Sequence, residues 1–191
     1  MSKIIIYGSK DFAYVIKSLV EDCGHEFVGF IDDYNDGEFV IGTYSDVKTK
    51  YPPHLYDIVI AIGYNNLDAR WKVYQKILVD GYNIASLVHP TALISKSCEI
   101  GNGVIIMVGA IIDTNCVLND LVVVWPGVVI NHDSIIGENN FLSPNSTICG
   151  FVYTEQSCFI GAGAVIVNHT VVPQSSFIKA GQVYYQKKLV E

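Results

Sequence analysis

The 191-residue sequence predicts an α/β domain with a small parallel sheet, followed by a left-handed parallel β-helix of about five coils. Up to about residue 87 short apolar strands alternate with helical patterns, and from Val88 onward an aliphatic residue returns every six positions. These are the signatures of a βαβ sheet and of a hexapeptide solenoid.

The first strand is "KIIIYG". It leads into "DFAYVIKSLVEDCG", a helix whose apolar positions Phe12, Val15, Ile16 and Leu19 share one face and which Gly24 closes. "EFVGFIDD" is the second strand and "YDIVIAIG" the third. A second long helix, "NLDARWKVYQKILVDG", ends at Gly81, and "NIASLV" reads as a fourth strand. Sheets of this nucleotide-binding type hold ligands at the carboxyl ends of their strands. Here those ends carry Gly8, Asp32, Asp33 and Gly63.

Between Val88 and Ile178 fifteen of sixteen successive sixth positions are aliphatic, and only Thr154 breaks the register, so chance alternation is excluded. Small residues such as Cys98, Cys116, Ser134 and Cys158 sit two positions earlier. In a parallel β-helix each hexapeptide forms one side and its aliphatic residue points into the coil. Three hexapeptides close a coil, so vertical neighbours stand eighteen residues apart.

Composition narrows the function. Net charge is −7, with 12 Lys+Arg against 19 Asp+Glu, so a polyanion such as nucleic acid gains no general attraction to this surface, and no Lys or Arg lies between Lys96 and Lys179. The five cysteines are odd in number and lack CxxC spacing, the mark of neither a disulfide framework nor a zinc knuckle. The apolar run in "MSKIIIYGSKDF" is too short for a signal peptide, and no stretch has the length of a membrane span. The expectation is a cytoplasmic protein.

The combination of "IIIYG…FIDD…AIG" with "INHDSIIGENNFLSPNSTICG" and "FIGAGAVI" resembles the NeuD/PglD-like sugar acyltransferases over nearly the whole chain. The resemblance implies an N-terminal domain that binds a nucleotide-linked sugar and a β-helix that uses acetyl-CoA and forms a homotrimer with active sites between subunits. It makes His132 the general base and assigns the following acidic residue, Asp133, to orienting it. Two departures stand out. In "YGSKDFA", Lys10 and Asp11 replace glycines of the family's first turn, and "IKAGQVYYQKKLVE" replaces its "GxPAK"-like end.

On the eighteen-residue map His132 lies under Gly150 and Gly150 under Asn168, while Asp133 lies under Phe151 and Phe151 under His169. The missing side chain of Gly150 is expected to leave open space above the imidazole for a thioester, with nearby backbone N–H groups for the oxyanion. Adjacent residues of a strand point to opposite sides, so contact between Asp133 and His132 requires the corner to bend. His169 reads as a surface or cofactor-side residue, His25, His54 and His89 have no comparable setting, and Cys149 lacks a paired base.

The cofactor is expected to run from Gly150 past Gly161, Ala162 and Gly163 towards Lys179, Lys187 and Lys188, with Phe141 and Ala180 on the same path. Gly8, Ser9, Lys10, Asp32, Asp33, Gly63, Asn65 and Arg70 are the candidates for the sugar nucleotide, although Arg70 could equally occupy a solvated helix face. The expected reaction is acetyl-CoA-dependent N-acetylation of a nucleotide-linked amino sugar, of the 4-amino-4,6-dideoxy type, by direct attack. Its rivals are O-acetylation of a sialic acid or related sugar, a γ-type carbonic anhydrase, for which the β-helix is short of histidines, and a non-catalytic sugar-nucleotide scaffold. No metal is expected in the leading reading.

Overall fold

A computed structural model describes residues 1–186. The chain divides into two compact units, Met1–Leu87 and a second that begins at Val88. In the first, β1 (Lys3–Tyr7), α1 (Asp11–Asp22), β2 (Glu26–Ile31), β3 (Val40–Gly42), α2 (Tyr44–Lys50), β4 (Asp57–Ile60) and α3 (Leu67–Val79) follow in order. The four strands form a parallel sheet in the order β3-β2-β1-β4. Strand β1 is central, and its Ile4, Ile5 and Ile6 are wholly buried, as expected of a parallel strand covered on both faces.

Three details differ from the sequence reading. The fourth strand is Val40–Gly42, whereas "NIASLV" contributes only an isolated bridge from Ile84 to Ile58 before Leu87–Val88 opens the solenoid. Strand β3 fits because Gly29 lets β2 approach it: a Cβ at Gly29 would lie 2.3 Å from Ile41 Cγ2. Helix α2 follows from a capping box that was legible as T-x-x-D, in which the Asp46 N–H donates to Thr43 Oγ1 at 3.3 Å and the Thr43 N–H to Asp46 Oδ2 at 3.0 Å. Helix α1 buries Ala13, Ile16, Leu19 and Val20 and leaves Val15 exposed, so its core face is rotated from the expected stripe.

The second unit is a parallel β-helix of about five coils with three sheets, each coil giving one short strand to each. The ladder has a strict eighteen-residue offset, as in Val117 to Ile135 to Tyr153 and Val129 to Thr147 to Val165. The inward column is dry through Ile130, Ile136, Leu142 and Ile148, and loosens only at the start, where Val88 is exposed. Thr154 is fully buried without an orphaned hydroxyl, since its Oγ1 accepts from the Gly137 N–H at 3.1 Å. Burial likewise pushes the Cys116 and Cys158 thiols up to about 11, and each donates to a carbonyl across the corner, of Asn131 at 3.2 Å and of Pro173 at 3.1 Å. Such thiols are packing groups, not nucleophiles. Among the described residues no helix is long and apolar enough to cross a membrane.

Candidate active site

The strand Val129–Ile130 ends in a corner at Asn131, His132 and Asp133. Asn131 pins it, donating from Nδ2 to the Ile148 carbonyl of the next coil at 2.8 Å. Asp133 then turns with φ +56°, a left-handed conformation that aspartate tolerates better than most residues. That turn defeats the alternation of a strand and brings the carboxylate back beside the preceding imidazole. Asp133 Oδ2 lies 2.8 Å from His132 Nδ1, and its Oδ1 accepts from Asn115 Nδ2 at 3.1 Å. The His132 hydrogen bond first, and the Asn115 bond second, hold the Asp133 carboxyl below the usual carboxylate range.

An ionised carboxylate only accepts hydrogen bonds, so His132 Nδ1 carries a proton, and in the neutral ring the lone pair is then on Nε2. Nε2 has no hydrogen-bond partner among the described residues, and the side chain is 43% exposed. A tethered imidazole with a free, accessible Nε2 is the arrangement of a general base.

The space over Gly150 is not open. The imidazole itself fills it: a Cβ on Gly150 would stand 2.9 Å from both Cε1 and Nε2 of His132. Glycine is therefore required for the ring's position, and a thioester must approach from the exposed side of Nε2. The Gly150 N–H has no acceptor among the described residues, so it remains a candidate oxyanion donor. Above the base, the Phe151 ring meets His132 at right angles, with centroids 5.1 Å apart, and stacks on His169 at 4.9 Å. The map placed Phe151 and His169 in the column above Asp133, next to that of His132, and gave Phe151 no role. Cys149 has no base in hydrogen-bond contact among the described residues.

The expected cofactor run is partly corrected. Gly161 is buried, and its missing side chain serves coil packing, since a Cβ there would lie 2.4 Å from the Ala180 nitrogen. Phe141 is buried too, stacked under Phe159 at 6.1 Å with the Trp125 ring 6.0 Å to its side. Neither residue offers a surface to a ligand in this chain. Ala162, Gly163, Lys179 and Ala180 are exposed, and nothing would crowd a Cβ on Gly163. These residues fit a long, thin ligand lying along the coil edge. Lys187 and Lys188 lie outside the described residues.

In the first unit a cleft of about 410 Å³ opens at the carboxyl ends of β1, β2 and β4. Gly8, Ser9, Lys10, Asp32, Asp33 and Gly63 all line it. Gly8 has φ +117°, and a Cβ there would meet the Ala61 carbonyl oxygen at 2.9 Å, so the altered turn keeps the glycine that its backbone needs. Asn65 is not part of the lining; Asn66 is, held by the Ala69 N–H donating to its Oδ1 at 3.0 Å. Arg70 is wholly buried, neither in the cleft nor on a solvated face, and burial brings its pKa down to about 9.

Both aspartates of the cleft are engaged by the protein. Asp32 accepts from the Ser9 hydroxyl, from the Tyr34 and Asn35 N–H groups at 2.9 Å each, and from Asn35 Nδ2. Partial burial would raise its pKa, but these hydrogen bonds, Ser9 foremost, outweigh it and hold the carboxyl low. Asp33 accepts from the Tyr7 hydroxyl and, at 2.7 Å, from the Tyr44 N–H at the start of α2. Burial, then the Asp33 bond, raises the Tyr7 hydroxyl well above its ordinary value, so it stays a donor. Sequence reasoning missed Tyr7, Asn35 and Asn66, whose only signal was their position beside the strand ends. Among the described residues no three His, Cys, Asp or Glu side chains converge as a metal site.

Comparison with known proteins gives a concordant picture. Residues 3–77 match the PglD N-terminal domain, and residues 115–150 match the bacterial transferase hexapeptide repeats. The acetyltransferase domain of PglB from Neisseria gonorrhoeae superposes with TM-score 0.90 at 26% identity, over 99% of this chain and 94% of that one. The same domain in complex with acetyl coenzyme A gives 0.89 at 27% identity, over 95% and 90%. A perosamine N-acetyltransferase from Caulobacter crescentus, complexed with CoA and GDP-perosamine, shares the fold at TM-score 0.76 and 21% identity, over 94% of each chain.

Proposed function

We propose that this chain, which matches the PglD N-terminal domain and the bacterial transferase hexapeptide repeats, is a NeuD/PglD-like acetyltransferase that transfers an acetyl group from acetyl-CoA to the amine of a nucleotide-linked 4-amino-4,6-dideoxy sugar, with His132 as general base. One observation carries the reading: Asp133 Oδ2 lies 2.8 Å from His132 Nδ1, which leaves the opposite nitrogen, Nε2, accessible and without a protein partner among the described residues. The cleft of the first unit is the seat of the sugar nucleotide, where Lys10 supplies a cation and Asn66 a free amide N–H pair beside it. The solved relatives support this class, since the Neisseria domain binds acetyl coenzyme A and the Caulobacter enzyme binds CoA and GDP-perosamine.

The chemistry asked of the residues is limited. The neutral amine forms the new N–C bond as the C–S bond of the thioester breaks. His132 Nε2 takes the proton from the attacking nitrogen and then returns it to the departing sulfur, so that CoA leaves as the thiol. Asp133 stabilises the imidazolium that results, and the Gly150 N–H is a donor for the negative charge on the carbonyl oxygen. General-base assistance of this kind contributes about 10²- to 10⁴-fold in rate.

A homotrimer in the cytoplasm completes the proposal. The outward column of one sheet runs Leu93, Ile111, Val129, Thr147, Val165 and Val183, apolar but for Thr147, half-buried in the middle and exposed at 65%, 42% and 68% at Leu93, Ile111 and Val183, a face that a neighbouring copy would cover.

The test is thiol release from acetyl-CoA across UDP- and GDP-linked 4-amino-4,6-dideoxyhexoses, with free sialic acid as the O-acetylation control. Turnover with an amino sugar, and a fall of at least 100-fold (on the order expected for a lost base) in a folded His132→Ala variant, is the expected result. Near-normal turnover by that variant overturns the assignment of the base, and acetylation of sialic acid alone overturns the acceptor.

A further inference from the structure

The outer corners of the β-helix have a strict backbone requirement that one aromatic residue violates without obvious reward. Corner after corner adopts φ near +60°, and the residues that accept it are those suited to it: glycine at Gly109, Gly127 and Gly163, asparagine at Asn115, Asn139 and Asn145. Three bulky residues break this pattern. Leu121, at φ +63°, is fully buried, so packing explains it. Phe151, at φ +58°, and His169, at φ +60°, do not bury themselves: Phe151 is 48% exposed and His169 is exposed as well. An outlier of this kind, held where burial does not compensate it, points to function.

Their position says which function. Phe151 and His169 stack with rings 5° from parallel, and Phe151 meets the His132 imidazole at 89°. The two rings cover one another's faces and leave an exposed rim, apolar at Phe151, next to the imidazole that receives the proton. On the reading of the reaction given above, we propose that Phe151, backed by His169, is a specificity-determining platform for the acceptor sugar. The methyl group and adjoining C–H groups of the deoxysugar pack against the exposed Phe151 rim while the amine points at His132 Nε2. Asp133, one coil below in the same column, presents its carboxylate inward to the imidazole and leaves the rim uncharged on that side. The occupant is a saturated, partly deoxygenated ring, because a fully hydroxylated one would lose water on the ring side without a polar partner.

The test is Phe151→Asn, which gives the corner a residue that already occupies the same conformation at Asn115, Asn139 and Asn145, with Phe151→Tyr as the conservative control. Titration calorimetry with UDP- and GDP-linked 4-amino-4,6-dideoxyhexoses, with UDP and GDP alone and with acetyl-CoA, reads the three ligands separately. Expected is a roughly three- to tenfold weaker Kd for the sugar nucleotide. The bare nucleotide, acetyl-CoA and the oligomeric mass by light scattering should be unchanged, and Phe151→Tyr should restore binding. The platform is overturned if the sugar nucleotide binds equally well, if acetyl-CoA affinity falls instead, or if the mass drops because the ring seals a subunit contact. Weakened sugar binding in a protein that never releases thiol from acetyl-CoA would keep the platform and sink the catalytic reading; no binding of either sugar nucleotide sinks both.

Discussion

Replacing Gly150 by alanine isolates the position of the base from its chemistry. The backbone there is outside the left-handed region, so alanine meets no conformational penalty, and both members of the His132–Asp133 pair are untouched. The new Cβ, however, would lie 2.9 Å from Cε1 and Nε2 and 3.4 Å from Nδ1. A carbon rests at about 3.5 to 4.0 Å from such atoms, so the far edge of the ring must recede by roughly 0.6 Å or more. Nδ1 is tethered to Asp133 at 2.8 Å, which makes the movement a rotation about that bond, with Nε2 travelling furthest. A misplacement approaching 1 Å costs about 100-fold. Gly150→Ala should therefore lower kcat by about 10- to 100-fold, or roughly 1.4 to 2.7 kcal/mol of barrier. KM for acetyl-CoA should stay within about threefold. Thiol-release kinetics measure the first quantity and thermal melting checks the fold, whose midpoint should move by only a few degrees (about 4 to 8 °C per kcal/mol in small domains). Wild-type kcat in a folded Gly150→Ala protein would refute the argument that glycine is there to seat the imidazole.

Thr154→Val should leave stability unchanged or raise it by up to about 1 kcal/mol, because the Gly137 N–H keeps its 2.9 Å bond to the Thr154 carbonyl when the hydroxyl is lost and the added methyl joins a dry aliphatic column. Urea unfolding decides it, and a loss beyond about 1 kcal/mol would mean that the hydroxyl bond outweighs the methyl. Asp133→Asn keeps a residue suited to φ +56° but offers an amide N–H to Nδ1, which moves the imidazole proton to Nε2; kcat should fall by about 10² to 10⁴ with the fold intact. A kcat within threefold of wild type would leave Asp133 no orienting role.

The solenoid was legible because its geometry is periodic. Once each coil spans eighteen residues, sequence spacing becomes vertical distance, and the stacking of His132 under Gly150 and of Phe151 under His169 can be read off before any coordinates exist. What that map lacks is direction. It names the neighbour of His132 but not that the imidazole folds up against it, so the space over Gly150 was misread as open. The strand rule similarly fails at Asp133, where a left-handed corner turns the carboxylate towards the residue that alternation places on the other side. In the first unit the errors are of depth and length. A helical pattern cannot tell that Arg70 is wholly buried, and a strand of three residues, Val40–Gly42, is too short to leave a period.

Direction also resolves an apparent conflict between the net charge of −7 and a protein proposed to hold two phosphate-bearing ligands. Three acidic side chains at the candidate sites are turned towards the protein, while Asp11, in the first turn of α1, is exposed. Asp133 is engaged by His132 and Asn115, Asp32 by Ser9, Tyr34 and Asn35, and Asp33 by Tyr7 and Tyr44. Each carboxylate thus has its lone pairs directed at internal donors and shapes the site by fixing a neighbour: an imidazole in one case, the cleft wall in the others. The surfaces left for a ligand are then backbone, amide and aromatic, with Lys10 in the cleft and Lys179 at the coil edge as the described cations beside them. In the proposed reading a diphosphate in the cleft is offered Lys10, a cation on its wall. The excess negative charge lies mostly elsewhere on the surface, where the Debye length of about 8 Å at physiological salt limits its reach into either site.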